Sequence, residues 1–335
     1  MTGLSRALAA AAALVLGGCS GWQSALDPHG TDAARLASLI WFIVAVCAIV
    51  WILVVAALVP VLLRRRAPRP EPLAIDHAAE RRMTAAVGLS IAATVVVVTV
   101  FTLASFVTTR GLGAAADDDL TVVVRGKQWW WEVEYPDPDP ANVFQTANEI
   151  HVPVGRAVRL RLEGDDVIHS FWVPNLAGKQ DMIPGRTNVL TIRAERPGVY
   201  RGQCAEFCGL QHAHMAFLVI AEEAPAFEVW RGRQRRPAAT PLTADQETGR
   251  VLVETRQCGA CHTIRGTAAA GTTGPDLTHV GSRRMIAAGL LDTTRGALAA
   301  WIADPQTLKP GNLMPLVPLD PEALRAVSAY MASLE

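Results

Sequence analysis

The chain has 335 residues, enough for about two domains. Lys and Arg (31) balance Asp and Glu (31), so no net field points to nucleic acid or to an anionic substrate. No Lys/Arg stripe with interleaved aromatics is present either, which excludes a nucleic-acid-binding reading. Half of the residues are hydrophobic, and the excess lies before residue 110, which points to membrane segments rather than to one oversized core.

Residues 1–19, "MTGLSRALAAAAALVLGGC", carry Arg6, an apolar stretch and then small residues, the pattern of a signal peptide. The ending "LGGC" resembles a bacterial lipoprotein cleavage box and implies Cys19 as a lipidated first residue. An ordinary signal with an incidental cysteine, or an uncleaved anchor, is the competing reading. Two uncharged runs follow, Leu36 to Leu63 and Thr84 to Val107, each longer than the roughly 20 residues needed to cross a hydrocarbon core. Between them "RRRAPRPEPLAIDHAAERR" places six arginines near the membrane ends. By the positive-inside rule that loop is cytoplasmic, so residues 36–110 form a helical hairpin and everything after Arg110 faces outward.

Over residues 118–225 the pattern changes to short runs rich in Val, Ile and aromatics, such as "LTVVVRGKQWWWEVEY" and "MAFLVIAEE", separated by Gly, Pro and Asp. Such spacing predicts an all-β sandwich or barrel. Residues 226–242 become basic and proline-bearing, which suits a linker. Residues 243–335 read as helical, with runs at 246–257, 295–303 and 321–333.

Six cysteines in an exported chain invite a disulfide reading. Their placement argues against it. Cys19 lies at the processing site and Cys47 inside an apolar run, while Cys204/Cys208 and Cys258/Cys261 form tight pairs beside His and Met. A structural disulfide needs no such company, so ligation or covalent attachment is the preferred chemistry.

The loop "GQCAEFCGLQHAHM" spaces Cys204, Cys208, His212 and Met215 at intervals of four, four and three. Thiolate, imidazole and thioether together select soft or borderline metals, and Met as a weak ligand favours copper in electron transfer over zinc. One further histidine has to come from elsewhere, and "DDVIHSFWVPN" supplies His169 at the end of a predicted strand. His214 falls outside the ligand spacing and reads as a surface or supporting residue. His29 and His151 have no sequence partners.

"VIHSFWVPNLAGKQDMIPGR" followed by "PGVYRGQCAEFCGLQHAHM" resembles subunit II of haem–copper cytochrome c oxidases, nearly continuously from Gln128 to Val219. The resemblance implies a cupredoxin-like fold and a dinuclear copper A centre. In it Cys204 and Cys208 would bridge two coppers, His169 and His212 would each cap one, and Met215 and the Glu206 carbonyl would be weak ligands. It also implies that the Glu206 side chain binds a magnesium ion shared with subunit I. In "KQWWWEVEY", alternation puts Trp129 and Trp131 on one face and Trp130 on the other. The family pattern implies Trp129 near the surface above the copper centre, as the point where electrons enter; packing is the alternative for Trp130 and Trp131. Glu80, in "ERRMT", matches the family's mouth of a proton path, except that Met83 replaces a Trp; an interfacial Glu paired with arginine is the competing reading.

Cys258-Gly-Ala-Cys261-His262 is the c-type haem attachment pattern: two cysteines for thioether bonds and His262 as proximal iron ligand. "LKPGNLMPLVP" offers Met314 as the sixth ligand, and Met285 is the competitor without that context. His/Met ligation suits electron transfer and leaves no open coordination position. Residues 243–335, including "GPDL" and the final helix, resemble a small class I cytochrome c. Arg283 and Trp301 are candidate contacts of haem propionates, or alternatively a solvated Arg and a core Trp.

Together these readings predict a multi-domain membrane protein: a two-helix hairpin, a cupredoxin-like sandwich and an all-α class I cytochrome c domain. The implied role is the electron-transfer subunit II of a respiratory oxidase, with two coppers, one covalent haem c and a magnesium site as its cofactors. Its implied partners are subunits I and III and an external donor, either cytochrome c or a quinol–cytochrome c reductase, and its site is the bacterial inner membrane. A nitric oxide reductase subunit and a free-standing membrane electron carrier are the rival readings.

Overall fold

The computed structural model describes residues 20–64, 76–113 and 120–335, so the expected signal peptide and Cys19 lie outside the described residues. The chain forms two compact units, one of residues 35–112 and one of the remainder.

The first unit consists almost entirely of two helices, α1 (Thr31–Leu63) and α2 (His77–Arg110), both long and apolar enough to cross a membrane. They extend beyond the apolar runs because capping, not hydropathy, sets helix ends. Asp76, for example, accepts the Ala78 and Ala79 amides and starts α2 a turn and more before Thr84. Phe42 and Phe101 meet edge to face at 5.9 Å, and Arg35 donates to the Gly111 carbonyl at 2.7 Å.

In the second unit, two five-stranded sheets form a sandwich. One orders β3 (Phe144–Ala147), β2 (Trp130–Tyr135), β1 (Leu120–Lys127), β5 (Val158–Gly164) and β8 (Asn188–Ile192). The other orders β4 (Glu149–Pro153), β10 (Ala216–Glu222), β9 (Gly198–Cys204), β6 (His169–Trp172) and β7 (Gln180–Met182). Alternation explains the layering: in β5 Val158, Leu160 and Leu162 are buried while Arg159 and Arg161 face outward. Trp131, Phe171, Phe217 and Val219 fill the space between the sheets, each such side chain contributing about 1.5–3 kcal/mol. Residues 20–30 lie against this sandwich, held by Asn175, whose side-chain amide donates to the carbonyls of Gly21, Ser24 and Asp27.

The stretch expected as a linker contains a helix, α3 (Ala224–Gln234). Phe227 is buried and Trp230 stacks on His151 at 4.0 Å, so two aromatics three residues apart pin what composition alone marked as loose.

The C-terminal part is helical: α4 (Ala244–Thr255), α5 (Cys258–Cys261), α6 (Arg295–Ala303), α7 (Pro305–Leu308) and α8 (Pro321–Ser333). A capping box between Thr243 and Gln246 starts α4. Val253, Leu298, Val327, Tyr330 and Met331 form its core. A small hairpin, β11 (Met285–Ile286) and β12 (Leu291–Asp292), projects from this bundle and meets the sandwich.

Candidate metal centre and haem site

Cys204 ends β9, and the loop that follows returns to the sheet at β10, so the sheet ends hold the loop at both sides. His169 begins β6, which pairs with β9 through Phe171 and Cys204. That pairing joins two segments far apart in sequence. His169 Nδ1 lies 3.8 Å from Cys204 Sγ, and the two sulfurs of Cys204 and Cys208 lie 3.7 Å apart. Cys208 Sγ is in turn 3.6 Å from His212 Nδ1 and 3.8 Å from Met215 Sδ, and Cys204 Sγ is 3.2 Å from the Glu206 carbonyl. His169 and Met215 are fully buried, and both cysteines nearly so. Gly126 makes room: a Cβ there would approach the His169 ring to 2.8 Å.

At 3.7 Å the two sulfurs are not bonded to each other, since a disulfide holds them about 2.05 Å apart. The electrostatics call for a cation. The two thiols share a hydrogen bond, which lowers the first ionisation at Cys204 and raises the second at Cys208. Both become thiolates only if positive charge sits among them, so two soft donors, two imidazoles, a thioether and a carbonyl fit a copper site. Asp166, which sequence reasoning missed, supports it: its Oδ1 lies 2.8 Å from His169 Nε2. Burial tends to raise the Asp166 carboxyl. Bonds from His169 and from the Gln128 and Val167 amides outweigh it and hold the group below its ordinary range. The acidic pair three and four residues before His169 was the available signal.

Trp131 packs against His169 at 6.2 Å between ring centres, and Trp130 turns outward beneath Lys127. Trp129 is buried, 8 % exposed, rather than at the surface, and its indole Nε1 donates to the Cys208 carbonyl at 2.9 Å. It is the chain's own C-terminal part that meets it, since Lys309 Nζ donates to the Trp129 carbonyl. His214 does not join the sulfur cluster; it points to Gln211, with Nδ1 2.9 Å from Oε1.

In the helical part, Cys258 and Cys261 flank one short turn and are free. Burial raises the Cys258 thiol. His262 Nδ1 donates to the Pro275 carbonyl at 2.8 Å, which leaves Nε2 for iron, and burial lowers its pKa so the ring stays neutral. A Cβ at Gly274 would approach the ring to 2.6 Å, so glycine is required beside it. The Met314 loop is tied by Gln306, which donates to the carbonyls of Asn312 and Met314, and by Asn312, whose Oδ1 accepts the Met314 amide. Met285 instead lies in β11, its amide bonded to Glu149. Arg283 is buried and donates to the Asp276 carbonyl, not solvated. Glu80 lies in the first turn of α2, exposed and 3.5 Å from His77.

Residues 138–222 match the family described as the periplasmic domain of cytochrome c oxidase subunit II, and residues 246–335 match cytochrome c. A protein of Alkalihalophilus pseudofirmus named cytochrome c oxidase subunit 2 is 35 % identical over 96 % of this chain and 94 % of its own. The chain belongs to the cytochrome c oxidase subunit 2 family. A Bacillus sp. strain PS3 protein of the same name is 32 % identical over 74 % of this chain and 71 % of its own. The periplasmic domain of subunit II of cytochrome oxidase from Bradyrhizobium japonicum is 34 % identical, covering 36 % of this chain and 97 % of that one, with a TM-score of 0.34. This chain of the cytochrome c oxidase subunit 2 family carries a cytochrome c domain behind the copper domain, and the two imply copper and haem. Two apolar helices and a periplasmic-type domain make it a membrane protein with an exported part.

Proposed function

We propose that the chain receives electrons from an external donor on its haem domain, passes them to its copper domain, and delivers them to subunit I, where oxygen is reduced. The observation that carries this reading is the convergence of His169 with Cys204, Cys208, His212 and Met215 in the same compact unit as the Cys258–His262 motif. Residues 118–225 are the copper domain and 243–335 the haem domain, joined through 226–242; residues 1–19 are the export signal. Subunit III, a magnesium ion at Glu206 and placement in a bacterial inner membrane complete the proposal.

Cys204, Cys208, His169, His212 and Met215 would hold copper, and Cys258, Cys261, His262 and Met314 would hold haem; each group, when bound, would supply one-electron transfer with little change in bonding. The chain's own residues provide the conditions. Asp166 fixes the His169 ring through Nε2, so Nδ1 is the nitrogen presented to the sulfurs. The Pro275 carbonyl does the same for His262. Trp129 reaches the Cys208 carbonyl through its indole N–H and offers a bonded route into the loop. The β-sandwich holds both loop ends rigid, which keeps reorganisation small.

The test is to purify the membrane complex, measure its metals and haem, and follow oxygen uptake with reduced cytochrome c. Copper at two atoms per chain, one covalent haem and donor-dependent oxygen uptake are expected. Zinc in place of copper, or a haem with no copper beside it, overturns the reading.

A further inference from the structure

Lys309 is 2 % exposed, although lysine is among the residues least often found buried. Its ammonium has three donors, and all three go to backbone carbonyls: Trp129 and His214 at 2.8 Å, and Ala287 at 3.1 Å. The first two belong to the copper domain and the third to the haem domain. Ala287 and Ala288 turn the β11–β12 hairpin with φ of 55° and 59°, in the left-handed region; the Ala287 carbonyl meets Lys309 of the same domain and the Ala288 carbonyl faces the copper domain. The Ala288 carbonyl takes the Ala216 amide at 3.0 Å. Beside them Gln211 Nε2 donates to the Pro310 carbonyl at 2.7 Å, and Glu149 accepts the Arg284 and Met285 amides.

These contacts share one loop with Met314. Residues 309–314 are braced internally by Gln306 and Asn312, so whatever holds Lys309 also holds the candidate axial methionine. The partner on the other side is Trp129, already bonded to the Cys208 carbonyl. A buried ammonium is tolerated only while its donors are used, and a displacement of about one hydrogen-bond length leaves it and three carbonyls unpaired. Such a contact has one geometry, not a range of them.

We propose that Lys309 is a positioning residue that locks the methionine-bearing loop of the haem domain onto the Trp129 face of the copper domain. Trp129 then serves the chain's own haem, and an external donor docks on the haem domain. This rests on the copper and haem reading above. Because electron tunnelling decays steeply with distance, a locked seam holds one fast geometry, where a merely tethered domain samples many.

The test uses Lys309→Met in the whole oxidase complex. The near-infrared copper band and the haem spectrum are expected to keep their positions and intensities. After flash photoreduction of the haem, electron equilibration with the copper site is expected to slow roughly tenfold or more, because losing a buried bonded charge weakens the seam that fixes the distance. Turnover should fall with it while KM for soluble cytochrome c stays constant, and hydrogen exchange at the Ala216 amide should accelerate. Wild-type equilibration and turnover overturn the proposal, as does a rise in KM alone, which would assign Lys309 to donor docking. Loss of the copper band in Lys309→Met overturns it too, by making the residue a support of the copper loop. Should that variant fail to accumulate, Lys309→Gln, which keeps two donors, is expected to show a partial slowing; wild-type rates there overturn the proposal. A wild-type complex without the copper band overturns the underlying reading as well, whereas normal bands with normal rates overturn the role of Lys309 alone.

Discussion

Asp166 Oδ1 sits 2.8 Å from His169 Nε2, while His169 Nδ1 faces Cys204 Sγ at 3.8 Å, so one carboxylate decides which ring nitrogen meets the sulfurs. Removing it frees the ring to rotate and weakens its basicity. Asp166→Ala should therefore lower copper affinity by about 10–100-fold, the usual effect of losing such a support. Asp166→Asn, which can still accept from Nε2, should lose less. Copper retention against a graded chelator, read by the near-infrared band, checks both.

Cys204→Ser removes the sulfur nearest His169 and the Glu206 carbonyl. The near-infrared copper absorption should vanish while the covalent haem spectrum stays intact, since Cys258 and Cys261 sit on the short helix α5 beside a separate core. An unchanged copper band in that variant would refute the ligand assignment.

Met314→Ala should leave haem attachment and the copper band in place but abolish the red-edge band of methionine-ligated ferric haem. Met285→Ala should leave that band untouched, because Met285 lies in a strand whose amide is bonded to Glu149. The reverse pattern would move the axial assignment to Met285.

His151 lies buried against Trp230, with Glu222 at 2.9 Å and Glu149 at 3.7 Å. Burial opposes its charge, but the two carboxylates outweigh it and raise its pKa, while the His151 bond lowers that of Glu222. For the raised imidazole, the stabilisation is full below the ordinary His value near 6.5 and is lost as pH climbs through the folded value. For the depressed carboxyl, it is full above the ordinary Glu value near 4.3 and is lost as pH falls through the folded value. The pair is thus most stabilising between about pH 4.3 and 6.5. The unfolding temperature of the purified complex should fall as pH rises beyond that window. His151→Phe, which keeps the stacking, should flatten that slope.

Much of this architecture is legible in the chain because its signals are local. Cys204, Cys208, His212 and Met215 lie in one loop, and Cys258 to His262 in one helical turn, so spacing alone reveals the donor sets. Hydropathy marks the two long helices, whose apolar faces meet no competing partner in the sequence pattern. The helix at Ala224–Gln234 was hidden because four arginines dominate the local composition from Trp230 to Arg236, and its anchor, Trp230, is held by tertiary contacts with His151, Tyr135 and Phe144 on distant strands.

Which distant groups meet is settled by folding. Strand pairing between β6 and β9 brings His169 to Cys204, and with it Asp166, whose acidic side chain looks like any loop residue in sequence. The seam of Lys309 with Trp129 and His214 has no sequence signature, because its acceptors are backbone carbonyls that every residue possesses. Side-chain type and spacing can announce a metal site. The direction of a carbonyl is set by the folded backbone alone, and that direction is what turns an ordinary lysine into a buried lock.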